Sequence, residues 1–150
     1  MSESALKLQI NEAMKEAMRA KNKARLGTIR LALAEIKKVE VDERINPDEA
    51  HIISILDKMV KQRRDSIKQL EVAGRAELVA QEQSEIEVIK EFLPQSLSEE
   101  ELDDLIKIAL SESGAQGIED MGKVMGAIKP KVVGRADMAV VSAKIKSSLS

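Results

Sequence analysis

Acid–base or metal chemistry built on imidazole would have to use His51, the only histidine, and thiolate chemistry has no residue at all, because cysteine is absent. His51 falls in the first turn of a helical pattern beside Asp48 and Glu49, where a solvated side chain is the ordinary occupant. The acids Glu99, Glu100, Glu101, Asp103 and Asp104 cluster, but they sit at a helix start, where carboxylates offset the positive end of the peptide dipole. They lack the alternating spacing and central glycine of a calcium loop. No serine has a base near it in sequence to make it a nucleophile. The residues offer no catalytic centre, no metal site and no cofactor site.

The segment GIEDMGKV, residues 117–124, spells G-x-x-x-x-G-K and then places Val124 where a phosphate-binding loop needs Ser or Thr to hold magnesium. Glu119 and Asp120 would stand in the phosphate cradle and repel its ligand, and the polar stretch SESGAQ precedes it instead of an apolar strand. This is a false match.

Two basic stretches remain. KQRRDSIKQ, residues 61–69, puts Arg63 near an apolar stripe and Arg64 about 100° round the helix from it. One reading makes them internal ion-pair partners; the other makes them a secondary surface contact for an anion. MGKVMGAIKPKVVGRAD, residues 121–137, holds three of the seven glycines, one of three prolines and the cations Lys123, Lys129, Lys131 and Arg135. On a helix Met121, Val124, Met125 and Ile128 share a core-facing arc, and Gly122, Gly126 and Lys129 share the arc beside it. A glycine inside a helix costs about 1 kcal/mol relative to alanine. The usual compensation is close approach of another backbone, from a packed helix or from a ligand. Composition leaves both open and leans towards helix packing. Pro130 lacks a helical donor and should end or kink the helix there. Gly134 and Arg135 fall in the basic turn that follows, with Asp137 placed to cap the last helix.

The elements that must position these residues are all helical in pattern. Leu6, Ile10, Met14 and Ala17 predict a helix over 3–20, and Leu26, Ile29, Leu33 and Ile36 a second over 23–43. INPD predicts a third start, with Asn46 as N-cap and Pro47 at the first helical position; its stripe runs through Ile52, Leu56, Met59, Arg63, Ile67 and Leu70 to a stop at Gly74. A fourth helix is expected over 76–92, with Leu78, Val79, Ile86 and Ile89 inward, ended by Pro94. Ser98 and Glu101 have capping-box spacing and open a helix with Leu102, Leu105, Ile106 and Ala109 inward, up to Gly114. Two short helices complete the chain, over about 118–129 and 136–149. The expected fold is all-α: an N-terminal four-helix module, residues 1–94, followed by a small C-terminal three-helix domain, residues 95–150.

Composition agrees with helices. Phe92 is the only aromatic residue, and a core of Leu, Ile, Val, Ala and Met suits helix packing better than strands. No run of ~18 apolar residues is present to cross a membrane. With no disulfide framework either, the chain reads as cytoplasmic. Its net charge of -2 conceals strong blocks. Residues 15–38 carry eight basic side chains against two acids, residues 95–120 one against eight, and residues 121–150 six against one. Such asymmetry speaks to partners more than to fold.

Taken together, TIRLALAEIKKVE, KQRRDSIKQLEVAGR, EIEVIKEFLPQSLSEEEL and MGKVMGAIKPKVVGRAD, in that order, resemble the YqeY family across nearly the whole chain, from Leu6 to Leu149. That family is related to the C-terminal tail of the B subunit of the aspartyl/glutamyl-tRNA amidotransferase, an appendage that helps hold tRNA. Related domains are attached to some glutaminyl-tRNA synthetases. The resemblance implies the same all-α, two-part fold and a non-catalytic tRNA-binding module. Met121, Gly122, Lys123, Val124, Met125, Gly126, Gly134 and Ala136 match the tail's Gly- and Lys-containing motif, whereas Arg135 and Asp137 stand where the motif varies. The tRNA-binding set is therefore Gly122, Lys123, Gly126, Lys129, Lys131, Gly134 and Arg135, with Arg63 and Arg64 as a secondary anion contact. The amide-forming chemistry of the amidotransferase sits in a cradle domain and a separate amidase subunit, of which this sequence has no sign. A carbon–nitrogen ligase activity would thus belong to an associated enzyme. The alternative is a protein-interaction module that docks on an aminoacyl-tRNA synthetase or an amidotransferase. The missing aromatics argue against recognition of unstacked bases, so contact with tRNA would rest on charge and shape.

Overall fold

A computed structural model describes residues 4–150. Among these the chain is all-α, with seven α-helices and no strand: α1 (Ala5–Arg19), α2 (Lys23–Glu43), α3 (Glu49–Val72), α4 (Ala76–Lys90), α5 (Glu99–Ser113), α6 (Met121–Val132) and α7 (Met138–Leu149). The predicted start of the first helix at residue 3 lies outside the described residues. The chain forms two compact units, one running to Pro94 and the other spanning Gln95–Ser150.

In the first unit the stripes meet as their spacing requires. Ile10 of α1, Ile29 and Ile36 of α2, Ile52 and Leu56 of α3 and Ile89 of α4 are all at most 1% exposed. Each such side chain contributes about 1.5–3 kcal/mol by leaving water. Phe92 joins this core just beyond the end of α4. The third helix starts two residues later than INPD suggests. Asp48, not Asn46, is the N-cap, and its carboxylate accepts from the His51 N–H at 2.9 Å. Pro47 is consequently outside the helix, where it is buried. At the other end Gly74 (φ 71°) makes the left-handed stop. Its N–H donates to the Glu71 carbonyl and the Arg75 N–H to the Leu70 carbonyl, the paired bonds of a glycine-terminated helix. Leu78, expected inside, is 41% exposed, and Val72 on the other arm of this turn is 92% exposed. That end of the α3–α4 hairpin lies outside the core.

The second unit is built on α6. Val124, Ile128 and Val132 are fully buried, as are Val141 and Ile145 of α7, and Leu102, Ile106 and Ala109 of α5 close over them. The capping box forms in full: the Ser98 hydroxyl accepts from the Glu101 N–H at 3.1 Å, and the Glu101 carboxylate accepts from the Ser98 N–H at 3.0 Å. Gly114 (φ 66°) ends α5. Asp137 caps α7, accepting from the Ala139 N–H at 3.0 Å.

Pro130 does not end α6, contrary to its usual effect. The helix continues to Val132, with Pro130 in its last turn. Proline there forfeits only the bond to the carbonyl of Gly126, which lies on the exposed side of the helix. The bond from the Val133 N–H to the Lys129 carbonyl (3.0 Å) closes the turn.

Candidate nucleic-acid interface on the second unit

α6 buries one side and presents the other to water, and every residue on its outer arc is small or cationic. At 100° per residue, the order round that arc is Lys129, Gly122, Gly126, Pro130, Lys123, Ala127 and Lys131. All seven are exposed. Gly122, Gly126 and Pro130 form a bare strip about 12 Å long, from the 1.5 Å rise per residue. Lys129 borders it on one side, and Lys123 and then Lys131 on the other. None of the three lysines has an ion-pair partner among the described residues.

Composition leaned towards packing as the reason for these glycines, and the geometry corrects that. A Cβ built at Gly122 or at Gly126 meets nothing within 4 Å. No helix of this unit lies against the strip, so the glycines are not spacers for a neighbouring backbone. Ala127 and Pro130 complete the cleared surface and were missed in sequence; their i+4 relation to Lys123 and Gly126 is the signal that finds them.

Gly134 and Arg135 do different work. Gly134 (φ 75°) is buried in the turn after α6, where only glycine adopts the left-handed conformation without strain. Arg135 is half-buried. Its Nε donates to the Gln95 carbonyl at 3.0 Å, and its own carbonyl accepts from the Leu97 N–H at 2.9 Å. The pair therefore ties the 95–97 segment to the end of α6. Arg63 and Arg64 belong to the other unit. Arg63 donates through Nε to the Glu85 carboxylate at 2.7 Å and through Nη1 to the Met59 carbonyl at 3.3 Å, both side chains of the ion pair being largely buried. Its guanidinium is committed to joining α3 and α4, and Arg64 beside it is half-buried.

The failed phosphate loop is occupied by its own acids. The Glu119 carboxylate folds over Gly117, 2.7 Å from where a Cβ would stand, and Asp120 accepts from the Gln116 N–H at 3.0 Å. His51 Nε2 lies 3.9 Å from Glu43. No three His, Cys, Asp or Glu side chains among the described residues converge as a metal site would require.

The acids at the start of α5 are partly neutralised within the unit. Lys144 of α7 reaches Asp103 at 2.9 Å and Glu99 at 3.3 Å. The hydrogen bond to Asp103 raises its pKa above the usual lysine value. The Ser98 backbone N–H, followed by the Ser98 hydroxyl, holds the Glu101 carboxyl below the usual range. Lys144 thus serves the fold, whereas Lys123, Lys129 and Lys131 have no such engagement.

The family model described as Yqey-like protein matches residues 7–149. Among curated proteins the chain is similar to "Altered inheritance of mitochondria protein 41, mitochondrial" of Pyrenophora tritici-repentis, with 35% identity across 89% of this chain and 75% of that protein. The protein of the same name in Lachancea thermotolerans is 38% identical across 69% of this chain and 57% of its own length. For the Saccharomyces cerevisiae protein the figures are 32%, 74% and 65%. The chain therefore spans less than two thirds of the latter two relatives. These names overturn the expectation of a cytoplasmic protein. That expectation rested on absent cysteines and absent apolar runs, neither of which specifies a compartment. No helix among the described residues is long and apolar enough to cross a membrane. On the family match over nearly its whole length, the chain belongs to the YqeY-like family.

Proposed function

We propose that the second unit is a non-catalytic RNA-contacting module whose α6 lays its bare strip along the phosphate backbone of tRNA. The observation that carries the proposal is the open space over Gly122 and Gly126 between unpaired lysines. Two exposed glycines weaken a helix and gain nothing inside this unit. A polyanion recovers the cost, because its backbone can reach the helix axis more closely than any side chain would permit, while Lys123, Lys129 and Lys131 displace its counterions. Recognition of this kind follows shape and charge rather than base identity. The choice of tRNA among RNAs comes from the resemblance to the amidotransferase tail.

The test is a titration of tRNA at two salt concentrations with the wild type and with Lys123, Lys129 and Lys131 changed to Glu. If all three contact phosphates, the slope of log affinity against log salt falls by about 2–3. Equal affinity and slope in the two proteins would remove α6 from the interface. Docking on a synthetase or amidotransferase is the competing reading, supported by the acids that α5 exposes at Glu100 and Asp104. Partners that stay bound to the protein after nuclease treatment would favour it.

A further inference from the structure

We infer that α2 of the first unit carries a second RNA-backbone contact, formed by Lys23, Arg30 and Lys37. The three recur every seven residues, so they fall within about 40° of one another on the helix and stand about 10.5 Å apart along it. All three are exposed, and none has an ion-pair partner among the described residues. Lys38 widens the stripe. Between the cations lie Gly27 and Ala34, both exposed, and a Cβ at Gly27 would meet nothing within 4 Å. The arrangement repeats the chemistry of α6, with small residues as a floor and lysine or arginine as borders. No acid falls on the arc itself; Glu35 and Asp42 lie at its edge.

A second observation concerns the start of the same helix. The first turn of α2 has no acid and contains Lys23 and Arg25, so cations stand against the positive end of the peptide dipole. Arg25 is neutralised by Glu91, but Lys23 is not. Lys21, just before the helix, adopts φ 57°, a left-handed conformation that glycine would hold with less strain. Charge has thus been concentrated where the helix and the turn both disfavour it. A bound polyanion relieves that repulsion.

The occupant that fits is a phosphodiester backbone. The stripe runs about 21 Å from Lys23 to Lys37, with its charges evenly spaced. It has no aromatic anchor, the feature around which protein interfaces concentrate their binding energy; Leu31 and Val41 are its exposed apolar residues, 48% and 61% accessible. The identity of the polyanion as RNA rests on the proposal for α6, whereas the α2 surface itself does not.

The experiment compares full-length wild type, an α2 variant (Lys23→Gln, Arg30→Gln, Lys37→Gln) and the α6 charge-reversal variant, each titrated with unfractionated tRNA at two salt concentrations. Helical content and thermal midpoint are matched first. A charge-conserving control (Lys23→Arg, Arg30→Lys, Lys37→Arg) must retain wild-type binding. The expected result is weaker binding by the α2 variant, with its salt slope reduced by about 2–3. Should the α2 variant bind like wild type while the α6 variant fails, the α2 contact is wrong and the α6 proposal stands. Loss in the α2 variant alone would keep the α2 contact and remove α6. A wild type that does not bind tRNA overturns both. A change in self-association without a change in tRNA binding would assign the stripe to the acidic face of a second copy, and would also overturn it.

Discussion

Replacing Gly122 and Gly126 with alanine separates the two reasons a helix can hold glycine. Nothing lies within 4 Å of either added Cβ, so no steric penalty opposes the change. Gly126 is interior to α6 and should gain about 1 kcal/mol from helix propensity; Gly122, second in the helix, gains about half as much. The double variant is then about 1.5 kcal/mol more stable in the second unit, which raises its thermal midpoint by about 6–12 °C for a domain of this size. Urea unfolding followed by circular dichroism gives the total. Hydrogen exchange of α6 amides localises the gain to the second unit. The same methyl groups roughen the strip, so tRNA affinity should fall although every lysine remains. A loss of stability would refute the reasoning, because it would show that α6 needs the backbone freedom of Gly126 beside Pro130. Unchanged tRNA affinity would refute the other half, that the missing side chains admit the RNA backbone.

Ser98→Ala removes the hydroxyl that caps α5 and should cost about 1 kcal/mol, read as a lower urea midpoint; no change would mean that the box contributes nothing in this context. Glu101 has a folded-state pKa below its unfolded value, so its contribution is complete above the ordinary carboxylate range and is lost as pH falls through the depressed value. Glu101→Gln should therefore flatten the acid side of the stability-versus-pH curve, and a curve parallel to wild type would contradict the cause assigned. Glu85→Ala strands the Arg63 guanidinium in a largely buried position and should cost about 1–3 kcal/mol. The double change Arg63→Met, Glu85→Leu should recover most of it, which a double-mutant cycle on urea midpoints measures.

Much of the fold is written in short-range patterns. Ile10, Ile29, Ile52 and Ile128 lie at helical spacing from their apolar neighbours, so their burial follows from period alone. The Ser98–Glu101 box and the Gly74 and Gly114 stops are satisfied within a few residues of chain and are equally legible. Near-neighbour competition produced the misreadings. Asp48 displaced Asn46 as cap although both residue types serve, and Pro130 was tolerated because the carbonyl it leaves without a partner lies on the exposed side. Leu78 carried the right residue type at an end of the hairpin that the core does not reach.

The candidate site divides the same way. Sequence alone placed Gly122, Gly126 and Lys129 on one arc of α6, because angular position on a helix depends only on residue number, whereas the place of Pro130 and Lys131 on that arc depended on the helix continuing to Val132. It also determined the charge blocks. Tertiary structure alone decided what faces those arcs. Gly122 and Gly126 read in sequence more readily as a seat for a neighbouring helix, and only the placement of α5 and α7 against the opposite side of α6 left the strip open. It also separated look-alike cations: Arg63 is committed to Glu85, Arg135 to the Gln95 carbonyl and Lys144 to Asp103, while Lys123 and Lys129 face water. Packing between helices distant in sequence sets both outcomes, and no local pattern encodes it.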